Sequence, residues 1–108
     1  MSAATDRVFV ALSDPTRREV LDALGRRAAC SATELARVLP VSRQAVLKHL
    51  SVLRDADLVI STRKGREVVF QVRSEQLLAT ASWMQSLAAS WDDRLAALKE
   101  RAEAPARD

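Results

Sequence analysis

Apolar residues recur at three- and four-residue intervals through the first half of this chain, alternate briefly after residue 57, and return to the helical interval beyond residue 74. That pattern predicts helices, a short two-stranded element and a last long helix. Val8, Phe9, Ala11 and Leu12 mark a short first helix. In "SDPTRREVLDALG" Asp14 is placed to cap a second helix, Pro15 takes its first position and Gly25 falls near its end. Val20, Leu21 and Leu24 form its buried stripe. "SATELARVLP" opens with a capping box, in which Ser31 accepts from the helix start and Glu34 reaches back. Leu35, Val38 and Leu39 give this third helix its apolar face, and Pro40 stops it after about two turns.

Ser42 caps the next helix, "VSRQAVLKHLSVL". At about 100° per residue, Val46, Leu50 and Leu53 fall in one narrow arc with Leu47 at its margin. Gln44, Lys48, Ser51 and Asp55 lie opposite. Then the period drops to two: "LVISTR" and "EVVFQVR" flank "KG", which reads as a hairpin with its tip at Lys64-Gly65. Val68, Phe70 and Val72 share one face of the second strand. Ser74 is placed to cap a final helix running to about Glu103. The fold class is therefore mainly α with a small β-hairpin wing, a winged helix-turn-helix ending in a long C-terminal helix. The whole chain, 1–108, reads as one such domain, with the helix-turn-helix over about 31–56, the wing over about 58–73 and the last helix over about 74–103.

Composition narrows the function more by distribution than by total. The 108 residues are 48% hydrophobic and 29% charged, a globular balance, with a formal charge of +3 and a pI near 9.7. The net charge is +1 over residues 1–41, +4 over 42–73 and −2 over 74–108. A polyanion would be met by the middle third. No apolar run approaches the ~20 residues that span a bilayer, and no secretory signal is visible at the N-terminus. A single cysteine fits a reducing compartment; the expected location is the cytoplasm, with no membrane partner.

The ordered set "ALSDPTRREVLDAL", "SATELARVLPVSRQAVLKHLSVLRDADLV" and "TRKGREVVFQV" resembles the ArsR/SmtB family of bacterial transcriptional repressors, over about residues 6–98. The resemblance implies a homodimer that binds double-stranded operator DNA, placing two recognition helices in successive major grooves with the wings on flanking backbone. It also implies dimer contacts from the first and last helices, and release of DNA by an effector.

The residues suit those roles. Arg43 and Gln44 sit where a recognition helix reads bases: arginine can donate bidentately to guanine, glutamine can pair with adenine. Lys48 could reach a phosphate or a base edge, Ser42 caps this helix, and Leu47 either touches a thymine methyl or completes the core. Arg63, Lys64 and Arg66 crowd the hairpin tip, where solubility alone would ask for fewer cations. Ser31 and Thr33 open a helix whose amides could meet a phosphate, although the capping box already explains them. On the last helix Leu77, Met84, Leu87, Trp91, Leu95 and Leu98, with Trp83 and Ala88 beside them, approximate a heptad seam. They form the candidate dimer interface, with Phe9 from the first helix.

Other residues favour the bland reading. His49 reads as a packed histidine with one hydrogen bond, since there is no second histidine to share a metal or a proton. Cys30 reads as an inert, partly buried residue, and Arg17 as the partner of Asp14 or another acid in a salt bridge. There is no Gly-rich phosphate loop, no Ser-His-Asp set and no pocket carboxylate pair, so no enzyme and no cofactor are expected. The resemblance brings metal sites built from paired cysteines near the third helix or Asp, His and Glu on the last; this chain has neither set, and no metal is expected. The effector stays open. The alternative is a winged-helix module that has lost DNA binding and contacts a protein.

Overall fold

The computed structural model describes residues 2–103; the ends of the expected domain, residue 1 and residues 104–108, lie outside them. The elements run α1 (Ala3–Leu12), α2 (Pro15–Gly25), β1 (Cys30–Ser31), α3 (Ala32–Val38), α4 (Arg43–Asp55), β2 (Val59–Lys64), β3 (Glu67–Val72) and α5 (Glu75–Glu103).

Side-chain caps set where the helices begin. The Asp14 carboxylate accepts from the Arg17 N–H at 3.0 Å ahead of Pro15. The Ser31 hydroxyl accepts from the Glu34 N–H at 3.1 Å while the Glu34 carboxylate accepts from the Ser31 N–H at 3.2 Å, closing the capping box. The Ser42 hydroxyl accepts from the Ala45 N–H at 3.1 Å. Each such cap stabilises its helix by ~1 kcal/mol. The C-terminus of α4 ends in a Schellman turn: the Asp57 N–H donates to the Arg54 carbonyl and the Leu58 N–H to the Leu53 carbonyl, both at 3.0 Å. Asp57 holds the left-handed conformation (φ 60°) where glycine is usual. This turn sends the chain from α4 straight into the wing.

The core gathers one stripe from each helix of the body. Val8, Val20, Leu24, Leu35, Val46, Leu50 and Leu53 are fully buried, closed over by Leu58, Val59 and Phe70 from the sheet side. Val38 is a correction to the expected apolar face of α3, being 54% exposed. A seven-residue helix has less than two full turns, and Val38 lies on an open rim shared with Arg26, the C-cap of α2, while Leu35 is buried and Leu39 half-buried.

The sheet has three strands, not two, in the order β1-β3-β2 and antiparallel throughout. Cys30 pairs with Phe70 and Ser31 with Val69, so the wing is stitched to the start of α3. The hairpin register, Lys64 opposite Glu67, puts the two-residue turn at Gly65-Arg66, one residue later than expected. Gly65 has φ 63° while Arg66 does not have positive φ. That is the type II′ pattern, which wants glycine first of the two central residues. On β3 Phe70 is buried, whereas Val68 and Val72 on the same face remain partly exposed.

α5 packs on α1 of its own chain. Thr80 is its buried residue. Trp83 meets Phe9 edge-to-face at 5.8 Å between ring centroids. A compact domain of this length has a radius of gyration of about 13 Å, yet this chain measures 20.4 Å and 79 Å along its long axis. The excess belongs to α5, most of whose 29 residues the body does not cover.

Candidate nucleic-acid interface

Leu39 to Ser42 turn the chain between α3 and α4, and the cap at Ser42 fixes how α4 leaves that turn. With Val46, Leu50 and Leu53 buried, the opposite face is forced outward: Gln44, Lys48, Ser51 and Asp55 are all exposed. Arg43 is also exposed, and it makes a hydrogen bond within the chain. Its Nε donates to the Thr33 hydroxyl at 3.0 Å, tying the first residue of α4 to the first turn of α3. Leu47 is half-buried against the core, so its apolar surface is at least partly occupied in packing.

Arg63, Lys64 and Arg66 are exposed around the hairpin tip. The ion pairs among the described residues are Asp22–Arg26, Arg73–Glu75 and Lys99–Glu103. None of these neutralises α4 or the tip. Arg43, Lys48, Arg54, Arg63, Lys64 and Arg66 therefore form a basic surface without internal carboxylate partners among the described residues, the condition in which a polyanion gains the most from contact.

Several expected residues fall elsewhere. Ser31 is buried, with its hydroxyl held in the capping box, and Thr33 is exposed and engaged by Arg43; both line the cleft between α3, α4 and the wing. Arg17 makes no salt bridge with Asp14. Its Nη1 donates to the carbonyls of Val10 and Ala11 at 3.3 and 3.1 Å, and Arg18 donates to Leu12, together satisfying the open C-terminus of α1. Asp14 is held below the usual carboxylate range chiefly by the Arg17 N–H, against burial, with the charges of Arg17 and His49 adding. The single hydrogen bond expected of His49 is not found at its Nδ1, which is buried without a partner; nor has the Arg17 Nε one. Cys30 is fully rather than partly buried, and burial pushes its thiol up from the ordinary range.

Sequence reasoning missed Arg54. It stands at the last turn of α4, and its Nη1 donates to the Ser61 hydroxyl of β2 at 3.2 Å, bracing the helix against the wing. The signal available was its helical position in register with Arg43 and Leu47.

The second exposed surface is apolar. Met84, Trp91, Leu95 and Leu98 of α5 are each more than half exposed, and Leu87 is half-buried. Phe9 is half-buried against Trp83 of its own chain. No described helix is long and apolar enough to cross a membrane. Among the described residues no group of three or more His, Cys, Asp or Glu side chains is placed to hold a metal.

A helix-turn-helix whose second helix presents polar donors outward, followed by a cationic hairpin, defines a winged helix-turn-helix DNA-binding protein. The comparisons with known proteins agree. A family described as "Helix-turn-helix domain" matches residues 12–62. The uncharacterized HTH-type transcriptional regulator YuzN of Bacillus subtilis (strain 168) is 45% identical over 83 residues, 71% of this chain and 90% of its own. The transcriptional repressor SdpR of the same organism is 30% identical over 90 residues, 83% of this chain and 99% of its own. Among solved structures, an ArsR-like transcriptional regulator from Rhodococcus sp. RHA1 is 48% identical and superposes with a TM-score of 0.86, covering 95% of this chain and 96% of that one. The chain belongs to the ArsR/SmtB family of winged helix-turn-helix transcriptional regulators, which are DNA-binding proteins and not enzymes.

Proposed function

We propose that this DNA-binding regulator is a cytoplasmic repressor that works as a homodimer on an inverted-repeat operator, the whole chain acting as one domain. The observation that carries the reading is the pairing of two unlike bare surfaces: an unneutralised basic one over α4 and the wing, and an apolar row along α5. A second copy covering the α5 row would remove Met84, Trp91, Leu95 and Leu98 from water. Because each is already about half covered within its own chain, burying the remainder stabilises by roughly half of the ~1.5–3 kcal/mol of full burial, before association costs. The dimer then carries two copies of α4, each entering a major groove. Arg43, Gln44 and Lys48 are offered to the base edges, and Arg63, Lys64 and Arg66 meet backbone phosphates. The name of SdpR, a transcriptional repressor, supports repression.

The regulator is further proposed to act without a metal, since one buried thiol and one histidine make a poor donor set for zinc, cadmium or arsenite. The test is fluorescence anisotropy on cognate and scrambled duplex, run beside analytical sedimentation of the free protein. Specific binding by a species of dimeric mass, unaltered by excess zinc, cadmium or arsenite, is the expected result. A monomer at micromolar concentration, or equal affinity for both duplexes, would contradict it.

A further inference from the structure

Between the start of α3, the face of α4 and the wing lies a cleft of about 360 Å³ whose cationic wall is made by Arg43, Arg54 and Arg66. These arginines come from three places in the chain: the first turn of α4, its last turn and the hairpin tip. With 3.6 residues per turn, Arg43, Leu47 and Arg54 project within about 40° of one another, whereas Gln44, Ser51 and Lys48 point roughly 80–140° round from Arg43. α4 thus has two polar faces. One looks outward; the other looks into the cleft, floored by the half-buried Leu47.

Two of the three guanidinium groups are anchored before any ligand arrives. Arg43 is held through Nε by the Thr33 hydroxyl, and Arg54 through Nη1 by the Ser61 hydroxyl. A guanidinium has five N–H donors, so each anchored group keeps donors for the cleft and has less freedom left to lose on binding. One carboxylate, Glu67, also lines the cleft, but no ion pair joins it to these arginines among the described residues. Three cations against one anion leave an excess positive charge beside a partly apolar floor.

We infer that this cleft is a phosphate pocket, occupied by one backbone phosphate of the bound DNA, and that Arg43 and Arg54 therefore position the protein on the backbone while Gln44 and Lys48 read the bases. The inference rests on the DNA-binding reading above and adds Arg54 to it. It also moves Arg43 from base reading to backbone contact. The same pocket chemistry suits free inorganic phosphate.

The experiment starts from a duplex enriched by wild-type protein from a random library, remade with single neutral methylphosphonates along each strand. Wild type should lose about tenfold at the pocket position of each half-site, through the loss of a charge-assisted contact, beside losses at the phosphates that the wing meets. Arg43→Gln and Arg54→Gln, weaker on the unmodified duplex, should lose less than about twofold further at that position and the full amount elsewhere, with base preference unchanged. Losses that simply multiply at every position, or a relaxed base preference in Arg54→Gln, would overturn the pocket while leaving DNA binding intact. Inorganic phosphate titrated at constant ionic strength separates the two sources. Competition seen in wild type and lost in Arg54→Gln means that the pocket also accepts the free ion; none, together with the methylphosphonate coupling, means that it takes backbone phosphate alone. If the library yields no sequence, the proposed function fails separately, and calorimetry with phosphate decides the pocket: binding lost in Arg54→Gln upholds it, and no binding by wild type overturns it.

Discussion

The middle of this chain and its C-terminal helix both leave side chains uncovered, yet they do so in opposite ways. Around α4 and the wing the exposed charges are mostly cations, and two of them have a hydrogen-bond partner, Arg43 in Thr33 and Arg54 in Ser61. Along α5 the exposed side chains include an apolar row, and among the described residues no second element covers Trp91, Leu95 or Leu98. The difference separates the kinds of partner. Anchored unneutralised cations suit a rigid polyanion with a regular charge spacing. A bare heptad-like row suits another helix of the same kind. α5 carries an apolar row past the reach of the body, along the 79 Å long axis of the molecule.

The contrast breaks most sharply at Trp91. Because this residue is 54% exposed within its own chain, Trp91→Asp should leave the fold and its circular dichroism unchanged while placing a charge in the dimer interface. Sedimentation should then show monomers, and DNA affinity should fall at least a hundredfold, about 2.7 kcal/mol. A variant that stays dimeric would remove α5 from the interface.

Within the basic surface the two roles should separate next. Gln44→Ala and Lys48→Ala should each cost ~1–3 kcal/mol on the selected duplex and relax its base preference. Lys64→Ala should weaken binding to all sequences alike and lower the salt slope by about one. Titrations on cognate and scrambled duplex at several salt concentrations distinguish the two classes.

Smaller effects test the body that holds both surfaces. The Cys30 thiol, buried and raised in pKa, should resist a thiol reagent in the native protein and react on unfolding, which a stopped reaction with and without urea would show. Asp57→Gly should stabilise by no more than about 1 kcal/mol, since it relieves a left-handed non-glycine residue but loosens the unfolded chain. The last effect is pH-dependent. The lowered Asp14 carboxyl contributes stability above the ordinary aspartate pKa, and that contribution is lost as pH falls through its lowered value. Asparagine also caps helices well, so Asp14→Asn should fold like wild type at pH 6 and show a shallower decline in urea midpoint between pH 5 and pH 2.

How much of this was legible in the sequence depended on whether the cause was local. Asp14, Ser31 and Ser42 announce helix starts because a cap acts over three residues, and all three caps form. The fold class and the helical stripes followed from periodicity for the same reason. β1 could not be read, because two residues, Cys30 and Ser31, carry no period; their pairing with Phe70 and Val69 is a tertiary event. Val38 matched the helical spacing of its neighbours and still lies outside, since α3 is too short to present a full face. The hairpin tip lies one residue beyond "KG" because the register, Lys64 opposite Glu67, puts Gly65 first of the two turn residues, as a type II′ turn wants. Arg17 was read by charge, which suggested Asp14, whereas the nearby carbonyl ends of α1 claimed it. Arg54 looked like any charged residue at a helix end; only the wing folding beside it turns it into part of a cleft.

The most direct test of a dimer that reads DNA with α4 is selection of bound duplexes from a random library, followed by footprinting. The expected outcome is an inverted repeat whose half-sites are centred about one helical turn apart, or a whole multiple of it, each 10–10.5 base pairs, protected by a dimer. Enrichment of a single half-site bound by a monomer, or of no sequence at all, would contradict it.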